Sequence, residues 1–175
     1  GASGAGVGGG SAGTAGSAGA APTGGMCTSY APGGTGSEAM GQIPLCCAPS
    51  AAEKELISEV FRLLNAHRMA NGLPALAYDD KLEAAVQGHC RHMAEHTFFA
   101  HEAPEAVVTS PWDRAEACGA AANGENIARG QRSAADVMAA WTTSEGHNRN
   151  MLGNFGRVGI GYVASGRYWG QLFGR

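Results

Sequence analysis

No lysine or arginine occurs before Lys54 in a chain of 175 residues. Residues 1–50 carry one charged side chain, Glu38, and 15 of the 28 glycines. Such a stretch cannot bury enough apolar surface to offset the entropy of ordering it. The run GGGSAGTAGSAG has a local period of three but lacks the proline and length of a collagen helix. Residues 1–50 therefore read as a flexible, disordered Gly/Ala/Ser-rich linker. The folded part is residues 51–175, enough for a single core.

Charge and cysteine usage narrow the class. The net charge is −3, with both signs mixed through the folded part. No basic stripe with interleaved aromatics offers a nucleic-acid groove. No apolar run reaches the ~18 residues of a membrane span. No signal peptide is visible, and a start in GASGAG is consistent with its removal by processing. Of the five cysteines, Cys27, Cys46 and Cys47 lie where no hydrophobic core would hold them. They read as disulfide partners in an oxidising compartment. Cys90 and Cys118 are either small buried hydrophobes or a second pair. A Cys90–Cys118 bridge would close a loop of about 28 residues and stabilise the domain by roughly 3 kcal/mol.

After residue 50 the pattern becomes periodic. Ser50 can cap a helix with a stripe at Leu56, Val60 and Leu64, widened by Ile57 and Phe61 and ended by Asn71-Gly72. Asp80 and Glu83 form a D-x-x-E capping box for a second helix. Its apolar face is Leu82, Val86 and Met93, and it ends near Thr97. SPWDRAEA suits a short helix with Pro111 at its first position. Ser133 and Asp136 open a third long helix with Val137, Met138 and Trp141 inside. VGIGYV and RYWGQLF then alternate as strands around Ala-Ser-Gly, a tight hairpin. Helices followed by an antiparallel hairpin predict an α+β or three-layer arrangement.

Two sets of histidines compete for a site. His92 and His96 in HMAEH fit H-x-x-E-H, the helical arrangement of inverted zinc peptidases with Glu95 as base. That arrangement needs a third ligand, and nothing singles out Glu105 or Glu116. His101 instead follows Phe98-Phe99 in a loop, where site residues are often carried. Two similar polar clusters lie downstream: GENIARG with Glu125, and SEGHNRNML with Ser144, Glu145 and His147. Each cluster alone is weak.

Taken together, LLNAHRMANGLPAL, HMAEHTFFAH, SPWDRA, GENIARG, AAWTTSEGHNRNML, VGIGY and YWGQLFG resemble, in order, the CAP superfamily or SCP domain. That superfamily comprises cysteine-rich secretory proteins, antigen 5 and pathogenesis-related proteins, and the likeness is greatest to its short bacterial branch. It runs from about residue 53 to the end. It implies a three-layer α-β-α sandwich with a shallow cleft in which two histidines and two acidic residues converge. His101 matches the first histidine, Glu125 the Glu of GENIA, and His147 the second histidine. The second acidic position falls on Ser144, with Glu145 beside it. The position that often carries Arg after the second histidine holds Asn148.

The resemblance implies a secreted or cell-surface protein. Its expected function is a ligand-binding module, for a lipid or sterol, with a metal-capable cleft. A metal-dependent hydrolase or peptidase using the same cleft is one alternative. An extracellular structural module with an idle site is the other. His101 and His147 would hold a divalent ion such as zinc weakly, since neither a thiolate nor a bound carboxylate completes the set. The expected oligomeric state is a monomer.

Overall fold

The computed structural model describes residues 25–31, 43–104 and 108–175. A two-stranded antiparallel pair comes first, β1 (Cys27–Ala31) and β2 (Ile43–Cys47). Helices α1 (Ala51–Ala70) and α2 (Asp80–His96) flank the short β3 (Ala77–Tyr78). Helix α3 (Pro111–Ala117), β4 (Gly124–Arg129), α4 (Ala134–Thr143) and α5 (Glu145–Met151) follow. Strands β5 (Arg157–Val163) and β6 (Tyr168–Gly174) form the closing hairpin. The main sheet runs β3-β5-β6-β4, with β3 parallel to β5 and the other pairs antiparallel.

Helices cover both faces of this sheet, the expected α-β-α sandwich. Ile57, Val60 and Leu64 of α1 join Val137 and Trp141 of α4 over Val158, Ile160, Trp169 and Phe173. Leu82, Val86 and Met93 of α2 join Ala115 of α3 over Ile127, Tyr168 and Leu172. The glycines of VGIGY have a physical role here. A Cβ at Gly159 would lie 2.0 Å from the Glu83 backbone nitrogen, and one at Gly161 2.9 Å from that of Gln87. Alternate β5 positions are therefore bare so that α2 can lie against the strand. Strand β3 pairs with only the first two residues of β5. Further along, buried Gln87 takes over the edge, donating to Tyr162 O at 2.9 Å and accepting from Tyr162 N at 2.8 Å.

Three expectations change. First, β1 and β2 lie inside the segment that composition assigns to a linker. A Cβ at Gly88 would meet Leu45 O at 1.9 Å, so β2 packs directly on the outer face of α2. Residues 1–24 and 32–42 lie outside the described residues, as does the disorder expected of them. Second, the bridges are Cys27–Cys47 and Cys46–Cys118, and Cys90 is a buried free thiol. The expected Cys90–Cys118 pair does not form. Cys90 faces Gly170 of the sheet, while Cys118 caps the end of α3 beneath β2. Third, the cap of α2 is Asp79, which accepts from Lys81 N and Leu82 N. Glu83 instead turns inward to Lys54 and the Tyr78 hydroxyl. Ser50 with Glu53 caps α1, and Pro111 opens α3, as expected. No helix among the described residues is long and apolar enough to cross a membrane.

Candidate functional site

Glu125 is the centre of the site. It lies on β4, with a side chain only 2% exposed, and meets two partners. His101 Nδ1 donates to its Oε1 at 2.7 Å, and Arg114 Nη2 donates to its Oε2 at 2.9 Å. A carboxylate only accepts, so the proton of a neutral His101 sits on Nδ1, leaving Nε2 with the lone pair. The imidazole is half exposed. Its pKa is raised, chiefly by the bond to Glu125 and against the opposing effect of burial.

Arg114 locks the surrounding loop. Its Nη1 donates to Thr109 O at 2.5 Å and its Nη2 to His101 O at 2.9 Å, so one buried guanidinium holds both ends of the segment between α2 and α3. Sequence reasoning did not single it out. The signal was local: Pro111, Arg114 and Ala115 stand at i, i+3 and i+4, the buried face of α3. Asn126 and Asn150 hold the site as well. Asn126 Nδ2 donates to His147 O at 3.0 Å, and Asn150 Nδ2 donates to Glu125 O at 3.1 Å and Asn126 Oδ1 at 2.9 Å. These amides tie β4 to α5 and set where His147 stands.

His147 is partly buried on α5. Burial lowers its pKa, and the charge of His101 lowers it further. They open onto adjoining recesses along β4. His101 and Glu125 line one of about 280 Å³ with Trp112 and Asn150. His147 and Ser144 line one of about 450 Å³ with Phe99 and Ile127. Ser144, the joint between α4 and α5, therefore reaches the cleft. Glu145 does not: its side chain is 89% exposed and pairs with Arg149 at 2.6 Å. The reason is helical phase. Glu145 opens α5 and pairs at i, i+4 on the outer face, where the chain cannot also aim it at the cleft.

Of the HMAEH histidines, His92 packs into the core. The His92 ring is buried, 4.8 Å from Phe98 and 4.7 Å from His96 between centroids. Its pKa falls to about 4, mainly through burial. His89, also buried, bonds Ala100 O through Nε2 at 2.8 Å. Among the described residues no group of three or more His, Cys, Asp or Glu is arranged to hold a metal. Glu116 lies on α3, and Glu105 is outside the described residues.

Comparison with known proteins agrees with this architecture. Residues 61–173 match the family described as CAP, the cysteine-rich secretory protein family. The Bacillus subtilis (strain 168) protein YkwD is 38% identical over 127 residues, 71% of this chain and 47% of its own length. An extracellular protein containing a SCP domain from Bacillus anthracis has a TM-score of 0.66 at 28% identity, over 70% of this chain and 41% of that one. An outer surface protein from Borrelia burgdorferi shares the fold, with a TM-score of 0.63 at 21% identity, over 70% of this chain and 93% of that one. The chain thus spans about half the length of the curated relative it matches.

Proposed function

The chain belongs to the CAP family of cysteine-rich secretory proteins, and we propose that it acts outside the cytoplasm as a binding module centred on His101, Glu125 and His147. Two disulfides and the extracellular or outer-surface description of structural relatives support the location. One observation carries the site. The Glu125 carboxylate fixes the His101 tautomer so that Nε2 keeps its lone pair for a ligand. A divalent ion such as zinc would find two neutral imidazoles there, with water completing its shell, and binding would be weak and exchangeable. The ion would supply positive charge for an oxygen atom of a ligand. Binding ranks ahead of hydrolysis. A catalytic zinc takes three protein ligands, and the second acidic position holds Ser144 while Glu145 faces solvent.

Zinc titration followed by NMR of the histidine rings tests this. His101 and His147 signals are expected to shift, with His92 and His96 nearly unchanged, and His101→Ala/His147→Ala abolishes the response. Loss of zinc binding in His92→Ala but not in His147→Ala would restore the helical pair. The pH sign follows from competition with protons. The pKa of His101 is raised, so acid displaces the ion from a pH above that of an ordinary imidazole.

A lipid or sterol is the second reading, and a different groove favours it. Between the start of α1 and the end of α2 lies a groove of about 580 Å³. Leu56, Ala94, Tyr162 and Val163 form its apolar lining, and Arg91 and Glu95 its charged rim. Such an amphipathic lining suits an apolar body with a polar head. Native mass spectrometry should find lipid co-purified with the wild type and absent from Ala94→Glu. Lipid kept by Ala94→Glu and lost in His147→Ala would move the ligand to the histidine cleft.

A further inference from the structure

Two large aromatic side chains at the cleft have no core to join. Trp112 and Phe99 are each 47% exposed, and one lines each recess. Trp112 stands on the first turn of α3, where Pro111, Arg114 and Ala115 take the buried face and leave it outside. The two recesses follow one another along β4. Gly124 and Glu125 floor the first and Ile127 to Arg129 the second. Six strand residues span roughly 20 Å, a length suited to an extended polymer.

The chemistry of the lining selects the polymer. Glu102 and Glu125 in the first recess oppose a polyanion. Arg129, in the second, lies over the Tyr168 ring at 4.8 Å. An added peptide strand would need the open edge of β4. Its Glu125 and Ile127 carbonyls already accept from Asn150 Nδ2 at 3.1 Å and Trp141 Nε1 at 3.4 Å. What remains is hydrogen-bonding capacity for hydroxyls between two ring platforms. His101 Nε2 is directed away from Glu125, and Gln131 in the second recess has a buried Oε1 with no partner among the described residues. Flat aromatic faces stack on the C–H faces of pyranose rings, and amide, imidazole and carboxylate groups bond their hydroxyls.

We propose that the cleft binds a linear, neutral, β-linked polysaccharide, with one sugar ring stacked on Trp112 and another on Phe99. This rests on the reading of the His101–His147 cleft as the binding site and names its ligand class. An extended strand along the wall favours the extended ribbon of a β-linked chain over the coil of an α-linked one.

The test is titration of the full chain with chitohexaose and cellohexaose, with maltohexaose as the α-linked control. Tryptophan fluorescence reports on Trp112, because Trp141 and Trp169 are fully buried. NMR follows the indole and the histidine rings. Either β-linked hexamer is expected to bind and shift Trp112, His101 and His147, and maltohexaose to bind much more weakly. Trp112→Ala and Phe99→Ala should each weaken binding roughly tenfold with unchanged melting, since neither side chain is in the core. The proposal is overturned by absence of binding at millimolar sugar, or by binding that survives both substitutions. It is also overturned if a mixed decapeptide pool or phosphatidylglycerol vesicles move Trp112 and the sugars do not. Zinc shifts at His101 and His147 without any sugar response would sink this ligand class alone. Silence of both rings to zinc and to sugar would sink the cleft reading with it.

Discussion

Cys118→Ser is expected to lower the stability of the domain by about 4 kcal/mol in the chain-entropy description of a cross-link, and its melting temperature by on the order of 10–20 °C. The Cys46–Cys118 bridge spans 72 residues of sequence, and the entropy removed from the unfolded chain grows with the logarithm of that loop. Cys27–Cys47 spans 20 and should be worth nearer 3 kcal/mol. The longer bridge also fixes the C-cap of α3 beneath β2, and α3 carries Arg114. Its loss should therefore broaden the His101 signals as well as lower the melt. Denaturant unfolding with and without reductant checks the assignment. Reductant should cost the wild type the sum of both bridges and the Cys118→Ser variant only the shorter bridge's share. Cys90→Ala should cost only the small packing term of a buried thiol. A large, reductant-sensitive loss in Cys90→Ala with none in Cys46→Ala would instead restore the Cys90–Cys118 pair.

That bridge also marks where the sequence stops being legible. Helices α1 and α4 are readable because one segment carries both an apolar stripe and a Ser cap that the structure uses. The β5–β6 hairpin is readable because its alternation is long and its turn is small. Strands β1 and β2 have neither advantage. They are five residues each, three of the ten being Cys, and held by two cross-links and the bare face at Gly88 rather than by any local pattern. Adjacent Cys46 and Cys47 bond in different directions, a connectivity that spacing alone does not determine. The D-x-x-E box misled because Tyr78 on β3 and Lys54 on α1, the latter 29 residues away, draw Glu83 inward and leave the cap to Asp79. In the site, family order located His101, Glu125 and His147. Of the residues that hold them, Arg114 shows locally only its place on the buried face of α3, and Asn126 and Asn150 act through contacts across elements that no single segment displays.

Arg114→Met should be as damaging as loss of the long bridge, by roughly 3–5 kcal/mol, because it leaves the buried Glu125 carboxylate without its cation. The guanidinium also donates to Thr109 O and His101 O, so those carbonyls lose their partner as well. Arg114→Lys should recover little, since a single ammonium cannot reproduce the planar fork. Arg114→Met/Glu125→Leu should recover part of the loss, because no unpaired charge remains, while still failing to satisfy the two carbonyls. The pH dependence separates this account from simple loss of packing. Arg114 lowers the pKa of His101 by charge repulsion, and Glu125 raises it by a larger amount. Without Arg114, His101 should hold its proton to higher pH and become the counterion of Glu125. A group whose folded pKa lies above its unfolded value contributes stability below the unfolded pKa and loses it as pH rises through the folded one. The Arg114→Met deficit should therefore be smaller in mild acid than above neutrality, and His101→Ala in the same background should erase the difference. Urea melts across that range measure it; a deficit that does not change with pH would mean that Arg114 acts only as a packing residue and a donor to the loop.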